Sequence, residues 1–150
     1  MSEVVIVEAV RSPIGRRNGG LSTVHPADLL GEMQQELFRR SGVDPSAVGQ
    51  VVTGCVSQIG EQSFNVGRTA WLAAGLPKEV PTTTVDTQCG SSQQATNLAT
   101  ALIKAGVIDT AVACGVEVMS RIPIGINSSR KLGYGVPITK SYFDEYEFTS

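Results

Sequence analysis

Apolar and polar positions fall into short alternating runs whose period switches between that of a strand and that of a helix. Val4-Val5-Ile6-Val7 is β-branched throughout and is broken over residues 8–13, the pattern of a buried strand. Residues 14–24 are rich in Gly, Arg, Asn and Ser and read as a loop. Pro26 suits a first helical position, so a helix is expected from there to about Arg40, with Gly42 as its stop. Leu30, Met33 and Leu37 form its apolar stripe, widened by Leu29 and Phe38. A second strand is expected over 51–56, where Gly54 marks a bulge or a close approach. A helix over about 65–74 follows, with Val66, Ala70 and Ala73 on one side. Gly75-Leu76-Pro77 ends it, and Gly67 inside it points to close packing. Residues 82–85 are the third strand. Ala95, Leu98, Ala99, Leu102 and Ile103 mark a helix after Cys89, capped by Gly106. A fourth strand lies within 107–114.

Four β runs separated by three helical segments predict a layered α/β unit: parallel strands, right-handed crossovers and helices covering the sheet. After Met119 the periodicity dissolves. Residues 121–150 hold Pro123, Gly125, Gly133, Gly135, Pro137 and the acidic-aromatic run Tyr142-Phe143-Asp144-Glu145-Tyr146-Glu147-Phe148. Irregular segments of this length are uncommon within compact domains and are usually functional.

Composition narrows the class. A chain of 150 residues, 41% hydrophobic and 17% charged, is long enough and apolar enough for one buried core. The formal net charge of −2, with basic residues clustered only as pairs such as Arg16-Arg17 and Arg39-Arg40, gives no support to nucleic-acid binding. No apolar run has the length of a membrane span, and the opening Met1-Ser2-Glu3 has no secretory pattern. Cys55, Cys89 and Cys114 have neither disulfide-framework nor zinc-site spacing, so a reducing, cytoplasmic setting is expected.

Candidate chemistry centres on Cys89. It stands between a strand and a helix, and Gly90-Ser91-Ser92 follows it. At a helix N-terminus unpaired N–H groups and the macrodipole favour negative charge, the setting in which a thiol acts as a nucleophile. Glycine there allows close substrate approach, and successive N–H groups can bind an oxyanion. Cys55 and Cys114 fall inside predicted strands and read as small buried hydrophobes. His25, the only histidine, precedes Pro26 at a helix start and reads as structural. Glu61, Gln62, Asn65 and Arg68 read as capping plus a solvated face, and Gln93 and Gln94 as helix surface. Glu117, after the fourth strand, is placed to order a loop or a neighbour of the active site.

Several segments, in order, resemble the thiolase family. Val7-Glu8-Ala9-Val10-Arg11-Ser12-Pro13-Ile14-Gly15 resembles the family's opening strand and loop, and Ala27-Asp28-Leu29-Leu30-Gly31 its first helix. Gly60-Glu61-Gln62-Ser63-Phe64-Asn65-Val66-Gly67-Arg68 is similar to the Gly-Gln-x-x-Asn-x-x-Arg stretch. Cys89-Gly90-Ser91 resembles the nucleophile motif, and Gly115-Val116-Glu117-Val118-Met119-Ser120 the Gly-x-Glu-x-Met-Ser segment. The form of residues 11–19 is most similar to degradative thiolases of actinobacterial lipid or steroid catabolism.

The resemblance implies the N-terminal α/β half of a thiolase over residues 4–120, with a mixed, mainly parallel sheet lacking its last strand. Residues 121–150 would begin the loop and tetramerisation region. It implies a homodimer or homotetramer and ping-pong chemistry, with coenzyme A and acyl-CoA as substrates rather than a resident cofactor. Cys89 would accept the acyl group, its own N–H serving as one oxyanion donor, and coenzyme A or a second acetyl-CoA would complete thiolysis or condensation. Asn65 and Arg68 carry over as subunit-contact or scaffold positions. The family's Asn-Glu-x-Phe segment, Gly-His-Pro histidine and Cys-x-Gly cysteine are not among these residues, and most of the CoA-binding loop is missing as well. The isolated chain is therefore expected to turn over poorly or not at all. Two other readings stand beside this one: a β-ketoacyl synthase-type condensing enzyme, and a non-catalytic thiolase-like half that associates with a partner chain.

Overall fold

A computed structural model describes residues 3–146, so Met1, Ser2, Glu147 and Phe148 lie outside the described residues. Helix α1 spans Pro26–Ser41, strand β1 Gln50–Gly54, helix α2 Val66–Ala73 and strand β2 Thr82–Val85. Helix α3 spans Ser91–Lys104, strand β3 Ala111–Gly115 and a short helix α4 Lys140–Glu145. The strands form one parallel sheet in the order β2-β1-β3.

The ends of α1 follow from its sequence. His25 Nδ1 accepts the Ala27 N–H at 3.1 Å, Pro26 fills the first position, and Gly42, at φ +69°, donates its N–H to the Phe38 carbonyl. Asp28 lies in the first turn and Arg39 and Arg40 in the last, each on the favourable side of the helix dipole.

Strand β1 is central and enclosed on both faces, and period-2 alternation sends successive side chains to opposite layers. Val51 packs with Phe38, Val48, Trp71, Val80 and Val112 beneath α1 and α2. Val52 faces the other way, onto Ala95 and Ala99 of α3. The Phe38 and Trp71 rings meet edge to face at 5.6 Å, and the Trp71 indole N–H reaches the Pro77 carbonyl at 2.7 Å. The chain steps from β1 to β2 in one direction and from β2 across β1 to β3 in the other. A constant crossover hand then puts α2 and α3 on opposite faces.

Sequence and structure part company at several points. Residues 4–7 form no strand. They run beside α3, across a cleft of about 490 Å³ lined by Val4, Val5, Ile6, Thr96, Thr100 and Lys104, so no strand edge faces them. Val5, Ile6 and Val7 are exposed as a result. The sheet accordingly has three strands, all parallel. Strand β1 ends at Gly54, which leaves Cys55 just beyond it. On α1 the deepest line runs through Ala27, Leu30, Gly31, Gln34 and Phe38, while Met33 and Leu37 are half-buried. On α2 the buried partner is Trp71, and Ala73 is exposed. Within 121–146, tight turns at Ile126–Ser128 and Arg130–Leu132 precede α4, whose start Thr139 caps by accepting the Tyr142 N–H.

Gly67 shows why α2 sits where it does. A Cβ there would lie 2.0 Å from Thr53 Oγ1 and 3.0 Å from the Thr82 methyl, so only glycine lets the helix rest on the sheet. Gly67→Ala is expected to destabilise the fold by about 1–3 kcal/mol despite alanine's better helix propensity. Urea midpoints of the two proteins test this, and an unchanged or raised midpoint would contradict the contact.

Candidate active site

The loops after β1, β2 and β3 leave the same edge of the parallel sheet. Because the connections after β1 and β2 depart to opposite faces, the topological switch point lies outside those two strand ends, the place where open α/β sheets bind ligands. Cys89 lies in the connection that leaves β2.

The turn holding Cys89 is built from short-range bonds. Gln88 takes φ +53° and donates its N–H to Asp86 Oδ1 at 2.7 Å. Ser91 Oγ accepts the Thr87 N–H at 3.1 Å and donates to the Gln88 carbonyl at 2.6 Å. The N–H groups of Gly90 and Ser91 close onto the carbonyls of Thr87 and Gln88. The amides of Cys89, Ser92 and Gln93 enter none of these bonds and lie at the opening of α3. The turn rests directly on the strand ends. A Cβ on Gly54 would fall 2.5 Å from the Ser92 nitrogen, and one on Gly115 would fall 2.0 Å from Ser92 Oγ. The close approach expected at Gly54 is therefore real.

The three thiols differ in environment. Cys89 is exposed and Cys55 is buried. Burial pushes the Cys55 thiol up to about 12, and the charges of Glu117 and Asp86 add to the effect. Cys114, whose thiol lies 3.2 Å from Thr53 Oγ1, is likewise raised by burial.

Near these strand ends Gln62, Asn65 and Arg68, read from the sequence as capping and a solvated face, make structural bonds. Gln62 is completely buried. Its Nε2 donates to Glu117 Oε1 at 2.6 Å and to the Ser57 carbonyl at 3.0 Å, while its Oε1 accepts the Val118 N–H at 2.8 Å. Glu117 also accepts the N–H groups of Val56 at 2.9 Å and Ser57 at 3.2 Å, and so orders the loop after β1. Asn65 binds the Thr82 carbonyl and the Thr84 hydroxyl, each at 2.7 Å, which fixes α2 to β2. Arg68 turns inward to the carbonyls of Lys78 and Val80. Gln93 and Gln94 stay on α3, Gln93 pairing with Asn97. His25 is occupied as the cap of α1. Glu61 pairs with Arg121, which also reaches the Thr23 carbonyl at 3.1 Å and so pins the segment after β3 to the 14–24 loop.

Comparison with known proteins agrees with this arrangement. The profile of the thiolase N-terminal domain matches residues 4–143. The steroid 3-ketoacyl-CoA thiolase FadA6 of Mycobacterium tuberculosis is 44% identical over 143 residues, which is 94% of this chain and 35% of that protein. The β-ketoadipyl-CoA thiolase of Acinetobacter baylyi is 45% identical over 130 residues, 86% of this chain and 32% of that protein. The crystal structure of the Bacillus anthracis acetyl-CoA acetyltransferase superposes with a TM-score of 0.76 at 40% identity, covering 90% of this chain and 33% of that one. The chain belongs to the thiolase family. It spans about a third of the length of the relatives it matches.

Two measurements follow from the site. Iodoacetamide at mildly alkaline pH should modify the native protein at Cys89 alone and all three cysteines after denaturation. Peptide mass mapping reads the sites, and native labelling of Cys55 would contradict its burial. Arg121 holds the Glu61 carboxyl below its ordinary value of 4.5, first through hydrogen bonding and then through charge. The folded carboxyl therefore titrates below the unfolded one. The pair's stabilisation is present above the unfolded carboxylate range and is lost as acid protonates the folded group. Arg121→Met should flatten that acid limb of stability, measured as urea midpoint against pH; an unaltered slope would remove the pair from the account.

Proposed function

We propose that this chain carries the acyl-accepting half of thiolase chemistry and that Cys89 is the nucleophile. The observation that supports this reading best is the exposed thiol of Cys89, held in a built turn at the opening of α3 and at the switch point between β1 and β2. After its proton passes to solvent, the Cys89 sulfur would attack the carbonyl carbon of an acyl-CoA. The bond to coenzyme A would break, and coenzyme A would leave as its thiolate and take up a proton from solvent. An acyl thioester would remain on Cys89. The Cys89 N–H is one donor to the oxyanion formed on the way. Transfer to coenzyme A would complete thiolysis of a 3-ketoacyl-CoA, and transfer to a second acetyl-CoA would complete condensation. Similarity to a steroid 3-ketoacyl-CoA thiolase and a β-ketoadipyl-CoA thiolase favours the degradative direction.

Residues 4–120 would form the N-terminal α/β domain and residues 121–150 the start of a loop region used in assembly as a homodimer or homotetramer. Asn65 and Arg68 serve the scaffold in this reading, and a cytoplasmic location fits the free thiols. His25 caps α1, so the 150-residue chain holds no histidine free to move protons at Cys89. Lack of acid–base assistance costs about 10²–10⁴-fold, and the chain alone should accept acyl groups while turning over poorly.

Intact mass after incubation with acetyl-CoA tests the reading. One acetyl increment on Cys89, lost in Cys89→Ala, is expected, with little thiolysis of acetoacetyl-CoA. An unmodified Cys89 would overturn it and favour a non-catalytic, partner-binding role.

A further inference from the structure

Glu117 and Gln62 form a polar clamp whose hydrogen bonds do not include Cys89. The Glu117 carboxylate gathers three N–H donors, from Val56, Ser57 and Gln62, and Gln62 returns its Oε1 to the Val118 N–H. No lysine or arginine pairs with Glu117 among the described residues, so these donors alone balance its charge. The loop it holds is the floor of the Cys89 turn. Cys55 donates its N–H to the Val85 carbonyl at 3.1 Å, one residue before Asp86 opens the turn. Gly54, next to it, lies under the backbone of Ser91 and Ser92, and the Gly54 carbonyl accepts the Val116 N–H at 3.2 Å. The connections after β1, β2 and β3 thus meet at one junction, in which Glu117 ties the connection after β3 to the one after β1.

We propose that Glu117, braced by Gln62, is a positioning residue for Cys89: it fixes the strand-end floor on which the nucleophile turn is set. This rests on the reading of Cys89 as the acyl acceptor. The clamp acts on geometry. Its removal should hinder attack on a thioester, which requires alignment with the oxyanion donors, more than alkylation by a small reagent.

The test uses the full 150-residue chain as wild type, Glu117→Gln and Glu117→Asp. In Glu117→Gln an amide N–H faces the existing donors, whereas Glu117→Asp keeps the charge and retracts it by one methylene. Acetylation of Cys89 by acetyl-CoA should fall about ten- to a hundredfold in Glu117→Gln and recover in part in Glu117→Asp. Iodoacetamide alkylation of Cys89 should stay at the wild-type rate in all three. Hydrogen exchange should accelerate over 85–91 as well as 55–58, with α1 unchanged. Equal losses in acetylation and alkylation, or an acetylation rate that does not fall, would overturn the proposal. Faster exchange confined to 55–58 would overturn it whether or not acetyl-CoA reacts. Wild-type protein that takes no acetyl group overturns instead the assignment of Cys89, and the exchange data still decide whether the clamp reaches the turn.

Discussion

Close approach of helix backbone to the two faces and the end of strand β1 is the constraint on which the remaining structure depends. Gly67 brings α2 onto Thr53 from one side, and Gly54 with Gly115 lets the start of α3 settle on the strand ends from the other. Any side chain at these points would lift a helix away from the sheet. The layers beneath Val51 and above Val52 would then lose their packing. The same glycines decide where Cys89 goes, because the first turn of α3 can be no higher above the sheet than Gly54 and Gly115 allow. Packing and placement of the thiol are one steric fact.

Topology supplies the rest of the placement. Connections that leave β1 and β2 for opposite faces must part at the strand ends, and the chain between β2 and α3 has to span that opening. Cys55 and Cys89 leave neighbouring strands, yet one thiol is enclosed and pushed up to about 12 while the other is exposed. Residue type alone carries no such distinction. It comes from which side of the strand end each thiol occupies.

The helices and the central strand were legible because their signals are local. Pro26, the acidic first turn and Gly42 mark α1 without reference to any neighbour, and the Val51-Val52 run reads as buried because it is. The misreadings all concern partners far away in the chain. Residues 4–7 have the composition of a strand, but a strand exists only where another offers its edge. Gln62 looks like helix-capping surface until Glu117, 55 residues later, folds back to it. In the candidate site the turn was visible from Cys89-Gly90-Ser91 and the loop-ordering place of Glu117 from its position after β3, whereas its bond to Gln62 was not.

His25 separates two halves of the chemistry. Its Nδ1 accepts the Ala27 N–H, so the neutral ring carries its proton on Nε2 and has no second lone pair to offer. To take a proton from a substrate it would have to surrender the cap of α1, which typically contributes about 1 kcal/mol. The residues assembled at and beneath the Cys89 turn are of another kind: backbone amides, Ser91, and a carboxylate at Glu117 that accepts three N–H groups of the neighbouring connection. Such a set orients a thiol and receives negative charge on an oxygen. It does not shuttle protons. The physical division within this chain is therefore between a strand-end connection that carries an exposed thiol and a histidine consumed in holding a helix.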